Sequence, residues 1–238
     1  MPPDGPAASA TAQTPSVDIG RLPWASKLFR DYTNNFDRLE AFYSGSPTDK
    51  VNWTNILDKR QTMPPATKIA SILSTQLAKR GAPDTSLKAA KSLAEPGSVA
   101  IVTGQQAGLF GGPLFTLLKA VTAIKLARKV AVEQNTNVVP IFWVDAEDHD
   151  LDEICKCQLL DKDLELKSVT LNTAVRRRTT ASSVRLDASI HETLDGLNGL
   201  LTRTEFTSQL IADLESIYAE GTRLVDAFAL WLDKLVGP

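Results

Sequence analysis

Two short apolar runs separated by a long helical pattern constrain the fold more than any other feature of this chain. The runs cover residues 99–102 and 138–144, and apolar residues recur at helical spacing from about residue 113 to 133. This order of strand, helix and strand is typical of a βαβ unit, whose strands run parallel. In open sheets of this kind ligands bind beyond the carboxyl ends of the strands. The sequence therefore predicts an α/β fold with a binding site where the two runs end.

The rest of the chain predicts further segments around this unit. We expect a disordered leader (1–20), a helical N-terminal region (21–97), the βαβ core (98–155), an insertion with β-strands (156–200) and helices leading back to the core (201–238). Within the insertion, β-branched residues in partial alternation predict strands at 164–171 and 179–186, separated by Arg176, Arg177 and Arg178. The last helical pattern stops where another strand is expected, which predicts a fragment of a longer protein.

Composition excludes several classes of protein. The 238 residues are 43% hydrophobic and 23% charged, with a formal net charge of -2, so nothing indicates a nucleic-acid or membrane-surface partner. The long apolar pattern is interrupted by Lys119, Lys125, Arg128 and Lys129 and does not predict a transmembrane span. The N-terminal residues lack the apolar stretch of a secretory signal. Two cysteines one residue apart do not form a disulfide framework, which favours a reducing, cytoplasmic location.

The first candidate motif is Thr-Gly-Gln-Gln-Ala-Gly-Leu-Phe-Gly-Gly-Pro at residues 103–113. Glycines allow the backbone to approach a ligand, Gln105 and Gln106 offer donors and acceptors, and the N-terminus of the following helix favours anions. Pro113 is suited to the start of that helix. Neither a P-loop nor a GxGxxG pattern is present, and a glycine-rich turn without a ligand is the alternative. Lys119 is predicted to be a surface lysine.

The second candidate motif is the acidic run Asp-Ala-Glu-Asp-His-Asp at residues 145–150. Carboxylates directly after a buried strand could hold a cation, orient an ammonium group or supply a base. The alternative is a solvated acidic loop that caps the next helix. The spacing matches no standard metal motif, so no metal site is predicted, and Cys155 and Cys157 are interpreted as incidental thiols. Trp143, just before the run, is predicted to be a core residue more than a ligand platform.

Together the motifs resemble a known family. TGQQAGLFGGPLFTLLKA followed by VVPIFWVDAEDHDLDEI is similar to the BshC family, the cysteine ligase family of bacillithiol biosynthesis. LPWASKLFRDY near the start and DAFALWLDKL near the end fit the same family, so the resemblance covers residues 20–238. Family members are roughly twice as long as this chain, a length that allows further domains. The resemblance therefore implies that this chain is an N-terminal half.

The resemblance also implies a fold, a reaction and a set of residues. It implies a Rossmann-like core, and dimerisation through a C-terminal coiled coil, so that a homodimer is expected only of a full-length form. The implied reaction adds cysteine to glucosaminyl malate in the last step of bacillithiol biosynthesis. ATP is the cofactor expected of a ligase, although no phosphate loop supports it. The residues carried over are Gly104, Gln105, Gln106, Gly108, Gly112, Pro113, Trp143 and Asp150 for substrate binding, and Glu147, Asp148 and His149 for catalysis.

Two other functions stay open on the sequence. The chain could be a catalytically incomplete, Rossmann-like fragment that binds a small molecule or nucleotide. A metal-dependent hydrolase that uses the acidic run is the third hypothesis. Binding of glucosaminyl malate, cysteine or ATP discriminates the first two hypotheses, and metal analysis tests the third.

Overall fold

The computed structural model describes residues 17–46, 48–173 and 179–237. Its contacts divide the chain into two compact units, one up to Ile56 and one from Leu57 onward. The boundary falls inside a helix, so it differs from the segment boundaries expected from the sequence, which stay predictions. All candidate site residues belong to the second unit.

The first unit is helical, as its spacing of apolar residues predicts. Helix α1 (Lys27–Asn34) begins at Ser26, whose hydroxyl accepts a hydrogen bond from the N–H of Phe29. A 3-10 helix (Phe36–Phe42) and the first half of α2 (Lys50–Gln61) follow. Three rings pack against one another with centroids 5.3 to 5.6 Å apart, those of Tyr32, Phe36 and Tyr43.

The second unit opens with two helices that precede the sheet. Helix α3 (Thr67–Arg80) ends at Gly81, which takes the left-handed conformation common after a helix C-terminus. Helix α4 (Asp84–Ser92) follows closely and packs against α3. A small cluster of buried residues, Ala70, Leu93 and Val139, joins these helices to the sheet.

The predicted βαβ unit is confirmed. Strand β1 (Val99–Gln106), helix α5 (Leu114–Gln134) and strand β2 (Val138–Asp145) follow one another, and the two strands pair in parallel. The register runs from Val99 opposite Val138 to Gln106 opposite Asp145, so both strands end at the same level. One boundary differs from expectation, since Gln105 and Gln106 belong to β1 and not to the turn. The polar ends of both strands are thus held by backbone pairing.

The outer edge of β2 explains how the strand tolerates a proline. The N–H of Val99 donates to the carbonyl of Asn137, at 3.0 Å, and this sets which residues of β2 face β1. Residues then alternate, so Pro140 faces away from β1, where its missing N–H breaks no bond between the two strands. The sheet is not covered at every position, because Val102 and Trp143 are 59% and 66% exposed.

A small hairpin follows the sheet. After the short helix α6 (Leu151–Ile154), strands β3 (Lys156–Leu160) and β4 (Leu166–Thr170) pair antiparallel. The strand predicted near 164–171 is therefore confirmed as β4, but its partner precedes it in the chain.

The second strand predicted in this region, at 179–186, is wrong. A 3-10 turn (Ala181–Ser183) occupies its middle, and Arg185 forms only an isolated bridge with Arg223. The fully buried Ala181 and Val184 show that apolar residues here fill the core as a turn and not as a strand. The run Arg176, Arg177 and Arg178 lies outside the described residues.

Three helices complete the second unit: α7 (Ser189–Leu200), α8 (Thr207–Ile217) and α9 (Leu224–Val236). With the hairpin they enclose the main hydrophobic core, which includes the fully buried Phe228 of α9. Ala107 and Leu109 from the loop after β1 are also fully buried in this core. The packing of this loop into the core therefore holds the end of β1 in place. Among the described helices, none is long and apolar enough to cross a bilayer.

Candidate functional site

A cleft of about 300 Å³ lies where the two parallel strands end. It is lined by Gly104, Gln105 and Gln106 from β1 and by Trp143 and Asp145 from β2. Trp143 was expected in the core, but its indole is two-thirds exposed at this edge, so it can serve as an apolar wall for a ligand. The structure thus brings both sequence motifs to one edge of the sheet.

Gly104 allows the two strands to approach at the cleft. A Cβ at this position would lie 2.7 Å from the backbone oxygen of Trp143 and 2.9 Å from its Cβ, closer than real side chains come. Glycine inside a strand often marks such a close approach of backbone. The glycine of the first motif is therefore needed for the strand pairing that forms the cleft.

A continuous line of hydrogen bonds connects helix α5 to the acidic run. The ammonium of Lys119 donates to the carbonyl of Gly104 at 2.8 Å and to Oε1 of Gln105 at 2.9 Å. Nε2 of Gln105 donates to Oε1 of Gln106 at 3.0 Å. Nε2 of Gln106 donates in turn to Oδ2 of Asp148, and is 3.3 Å from Oε2 of Glu153. We call these five side chains the Lys119 relay.

Lys119 was predicted to be an ordinary surface lysine, and this prediction is wrong. Its side chain is partly buried, and its ammonium lies 5.7 Å from the ring centre of Phe115 while it bonds to β1. A signal existed in the sequence. Lys119 stands three residues after Thr116 and four before Ala123, two buried residues of α5, so it falls on the face that meets the sheet.

The glycine-rich loop shapes the connection between β1 and α5 but does not line the cleft. A Cβ on Gly108 would lie 2.6 Å from the Cα of Gly112, so the loop closes tightly on itself. Gly112 has a φ of 70° and Phe110 has a φ of 54°, both in the left-handed region. Pro113 precedes the first helical residue as the N-cap of α5. We assign a structural role to Gly108, Gly112 and Pro113 in place of direct lining.

The acidic run is held by its own backbone. Oδ1 of Asp148 accepts from the N–H of Asp150 at 3.0 Å, and Oδ1 of Asp150 accepts from the N–H of Glu153 at 3.2 Å. The carbonyl of Asp148 accepts from Ala181 at 2.8 Å. The N–H of Asp150, and next the amide of Gln106, lower the pKa of Asp148, because both bonds favour its ionised form. Asp148 is therefore a carboxylate at neutral pH.

The remaining predicted catalytic residues lie further out. Glu147, His149 and Asp150 are exposed, and none of them lines the cleft. Asp150 caps α6, as the alternative interpretation of this run had it. Among the residues predicted from this run, Asp148 is the one with a described bond to a glutamine. Two carboxylates were not among the residues assigned to binding or catalysis: Asp145, which lines the cleft, and Glu153, which approaches Gln106.

The two cysteines lie just beyond the acidic run and are free. Burial, and secondly the charge of Asp152, raise the pKa of Cys155 to about 11. Burial also raises the pKa of Cys157. Both thiols therefore stay protonated near neutral pH. Within the ranges that the structure describes, no group of three or more potential ligands could hold a metal ion.

A larger cavity, of about 810 Å³, runs along the outer edge of β2. Helices α3 and α4 border it on one side and α5 and α9 on the other, and its lining is mostly apolar. Arg80 and Asp233 in its lining form a salt bridge, with Nε of Arg80 3.1 Å from Oδ2 of Asp233. The burial of Asp233 raises its pKa, against the opposing effect of Arg80. Because polar groups converge at the strand ends instead, the smaller cleft is the better candidate site.

A parallel βαβ unit with helices around it and polar side chains at the ends of both strands defines a Rossmann-like α/β domain, and its carboxyl edge is where ligands bind in such folds. The model of the family "Bacillithiol biosynthesis BshC, N-terminal Rossmann-like domain" matches residues 16–237. The chain belongs to this family, as its two motifs indicated.

Curated relatives agree with the family model. A protein of Salinibacter ruber named "Putative cysteine ligase BshC" is 32% identical over 97% of this chain and 42% of its own length. Proteins of the same name from Chlorobaculum tepidum and Koribacter versatilis are 40% and 30% identical, over 61% and 92% of the chain and 26% and 40% of their own lengths. The chain thus spans about two fifths of the length of the relatives it matches most fully.

Proposed function

We propose that this chain carries the substrate-binding edge of a ligase that adds cysteine to glucosaminyl malate in the last step of bacillithiol biosynthesis. The observation that carries the proposal is the hydrogen bond between Gln106 and Asp148, which ties the two motifs together beside one cleft. Family membership and the name of the relatives support the same reaction class.

The reaction sets three physical demands. An amine nitrogen attacks an activated carboxyl carbon, a C–N bond forms, the activating group leaves with its oxygen, and the nitrogen gives up a proton. The amine and the carboxyl must be held close together, and the negative charge that develops on the carboxyl oxygen needs a donor. The cleft offers donors from β1 and carboxylates from β2, which suits the two reactants.

Each group has a proposed part. Gln105 and Gln106 form the side of the cleft that holds a hydroxyl or carboxylate group of the sugar-malate substrate, Gln105 through its amide and Gln106 by keeping that amide in place. Asp148, ionised at neutral pH, holds the incoming ammonium. The exposed Glu147 and His149 accept the proton that the amine releases, since both lie beside Asp148 in the chain and are open to solvent. ATP is the activating cofactor to test, and the described residues contain no standard phosphate loop for it.

Calorimetry on this chain with glucosaminyl malate, L-cysteine and ATP, each alone and in pairs, tests the binding part. We expect glucosaminyl malate to bind, and Gln106→Leu to weaken it about tenfold because an amide partner is lost. Gln209→Leu is the matched control, since Gln209 bonds to Asp213 at 2.8 Å on the exposed face of α8, away from the cleft.

The catalytic part is tested in the full-length relative of Salinibacter ruber. Substitutions there at the positions of Gln106 and His149 should reduce bacillithiol formation. Unchanged product in both variants would refute the assignment. If this chain binds the substrates and forms no product, the alternative of a catalytically incomplete binding fragment is supported. If it binds none of them, both hypotheses fail.

A further inference from the structure

We infer that Lys119 is a positioning residue that fixes the orientation of both glutamine amides, so that Gln105 offers the cleft a hydrogen-bond donor and the site selects a ligand with an acceptor oxygen. This deepens the proposed function and rests on it for the identity of the ligand. The orientation itself follows from the described contacts alone.

One end of the Lys119 relay can only donate hydrogen bonds, and the other end can only accept them. An ammonium can only donate hydrogen bonds, and ionised carboxylates can only accept them. Lys119 stands at one end, and Asp148 with Glu153 stands at the other. Two amides lie between, and each has one accepting oxygen and one donating nitrogen.

Only one arrangement of the amides satisfies every contact. Gln105 must turn its oxygen to Lys119 and its nitrogen to Gln106, and Gln106 must then turn its oxygen to Gln105 and its nitrogen to Asp148. Rotating either amide by half a turn would bring two donors or two acceptors together. Without the lysine, Gln105 would keep only its bond to Gln106, and the orientation of both amides would depend on the carboxylate end alone.

The ammonium is itself well fixed. It bonds to the carbonyl of Gly104 in the strand as well as to Gln105, and it lies over the ring of Phe115. Two hydrogen bonds and one cation–π contact therefore hold the ammonium in place. A partly buried lysine held in this way keeps the glutamine side chains in a fixed position relative to β1 and α5.

The consequence for a ligand concerns Gln105. Its Nε2 carries two N–H groups, and one of them donates to Gln106. The described contacts give the other N–H no partner, and Gln105 lines the cleft together with Trp143 and Asp145. A carboxylate, carbonyl or hydroxyl oxygen fits beside this donor, as the malate part of the proposed substrate would.

Side-chain amide signals in NMR spectra of the ¹⁵N-labelled chain test the inference. We expect the signals of Gln105 and Gln106 to be dispersed and slow to exchange in the wild-type chain. Lys119→Met should move both to the positions of free amides and raise the pKa of Asp148 toward the ordinary value. Lys119→Arg should restore most of the ordering. Lys129→Met, at an exposed position of α5, is the control and should change neither signal.

A second variant covers the case in which Lys119→Met does not fold. Gln105→Glu keeps the acceptor for Lys119 but places an oxygen against Oε1 of Gln106, so the Gln106 signal and the pKa of Asp148 should shift. Unchanged amide signals and an unchanged Asp148 pKa in Lys119→Met, or in Gln105→Glu if only that variant folds, would overturn the inference.

Calorimetry with glucosaminyl malate then separates the two proposals. Lys119→Met should bind it at least about tenfold more weakly than the wild-type chain, while Lys129→Met should match the wild type. If the wild-type chain does not bind glucosaminyl malate, the proposed function fails, and the NMR result still decides whether Lys119 orders the amides. If Lys119→Met disorders the amides but binds equally well, the selection of the ligand by Gln105 is refuted.

Discussion

The two strand ends that meet at the cleft differ in how their polar groups are held. At the end of β1, Gln105 and Gln106 are partly buried, lie within the strand ladder and bond to side chains from other elements. Past the end of β2, Glu147 and His149 are exposed, and the carboxylates of Asp148 and Asp150 each accept from a backbone N–H two or three residues further on. The first end is therefore held largely by contacts between elements, while the outer part of the second is exposed and held largely by local bonds.

From this difference we expect the two motifs to contribute differently to the stability of the fold. Changes at the β1 end should disturb both the fold and the cleft, because the same atoms serve both. Changes at the outer part of the acidic run should leave the fold intact and disturb only a ligand. Three substitutions test this contrast.

Gly104→Ala should have the largest effect. The new methyl group would lie 2.7 Å from the backbone oxygen of Trp143, which cannot move without breaking the pairing of the two strands. We expect the free energy of unfolding to fall by about 3 kcal/mol, measured by urea denaturation. Gly199→Ala in α7 is the control, since nothing lies within 4 Å of the added carbon, and it should stabilise the chain by about 0.5 to 1 kcal/mol. Equal effects at both positions would show that the strand end is not rigid.

Gln106→Leu should have an intermediate effect that depends on pH. The bond from Gln106 helps to hold the pKa of Asp148 below its ordinary value, so it stabilises the fold at neutral pH, where Asp148 is ionised in both the folded and unfolded states. The stability difference between wild type and variant should persist above the ordinary Asp pKa and fade as the pH drops through the folded-state pKa. Denaturation from pH 7 down to 2 measures it, and Gln209→Leu, which removes a bond that likewise helps to lower the pKa of Asp213, should show the same direction of pH dependence. A difference that stays constant with pH would contradict this explanation.

His149→Ala should have the smallest effect on stability. The imidazole is exposed and lies in a segment held by other residues, so the free energy of unfolding should change by no more than about 0.5 kcal/mol. The same variant should weaken product formation if the proposed function holds. A large loss of stability would mean that the acidic run is part of the folded framework, and the contrast between the two strand ends would disappear.

Much of this architecture could be predicted from the sequence, because it depends on local pattern. The apolar runs and the helical spacing between them are sufficient to place β1, α5 and β2, and helical periodicity also predicts the helices before and after them. Gly104 follows the first apolar run and was placed in the glycine-rich motif, yet a glycine within a strand also indicates a close approach of backbone. That approach depends on Trp143, almost forty residues away in the chain.

The details of the site were harder to predict because they depend on contacts distant in sequence. Lysine is usually a surface residue, and only the position of Lys119 on the buried face of α5 distinguishes it from the exposed Lys129. Thr179 to Leu186 contains β-branched residues that favour a strand, but packing of Ala181 and Val184 into the core overrides that preference. The direct bond from Gln106 to Asp148 likewise depends on the register between β1 and β2, which cannot be predicted from local sequence patterns.

The protonated state of the two cysteines determines how readily they react with small disulfides. A thiolate attacks disulfides, whereas a buried and protonated thiol is nearly inert. With the pKa of Cys155 near 11 and that of Cys157 also raised, we expect neither thiol to attack a small disulfide such as cystine readily at neutral pH. Mixed disulfides should therefore form slowly beside the candidate site.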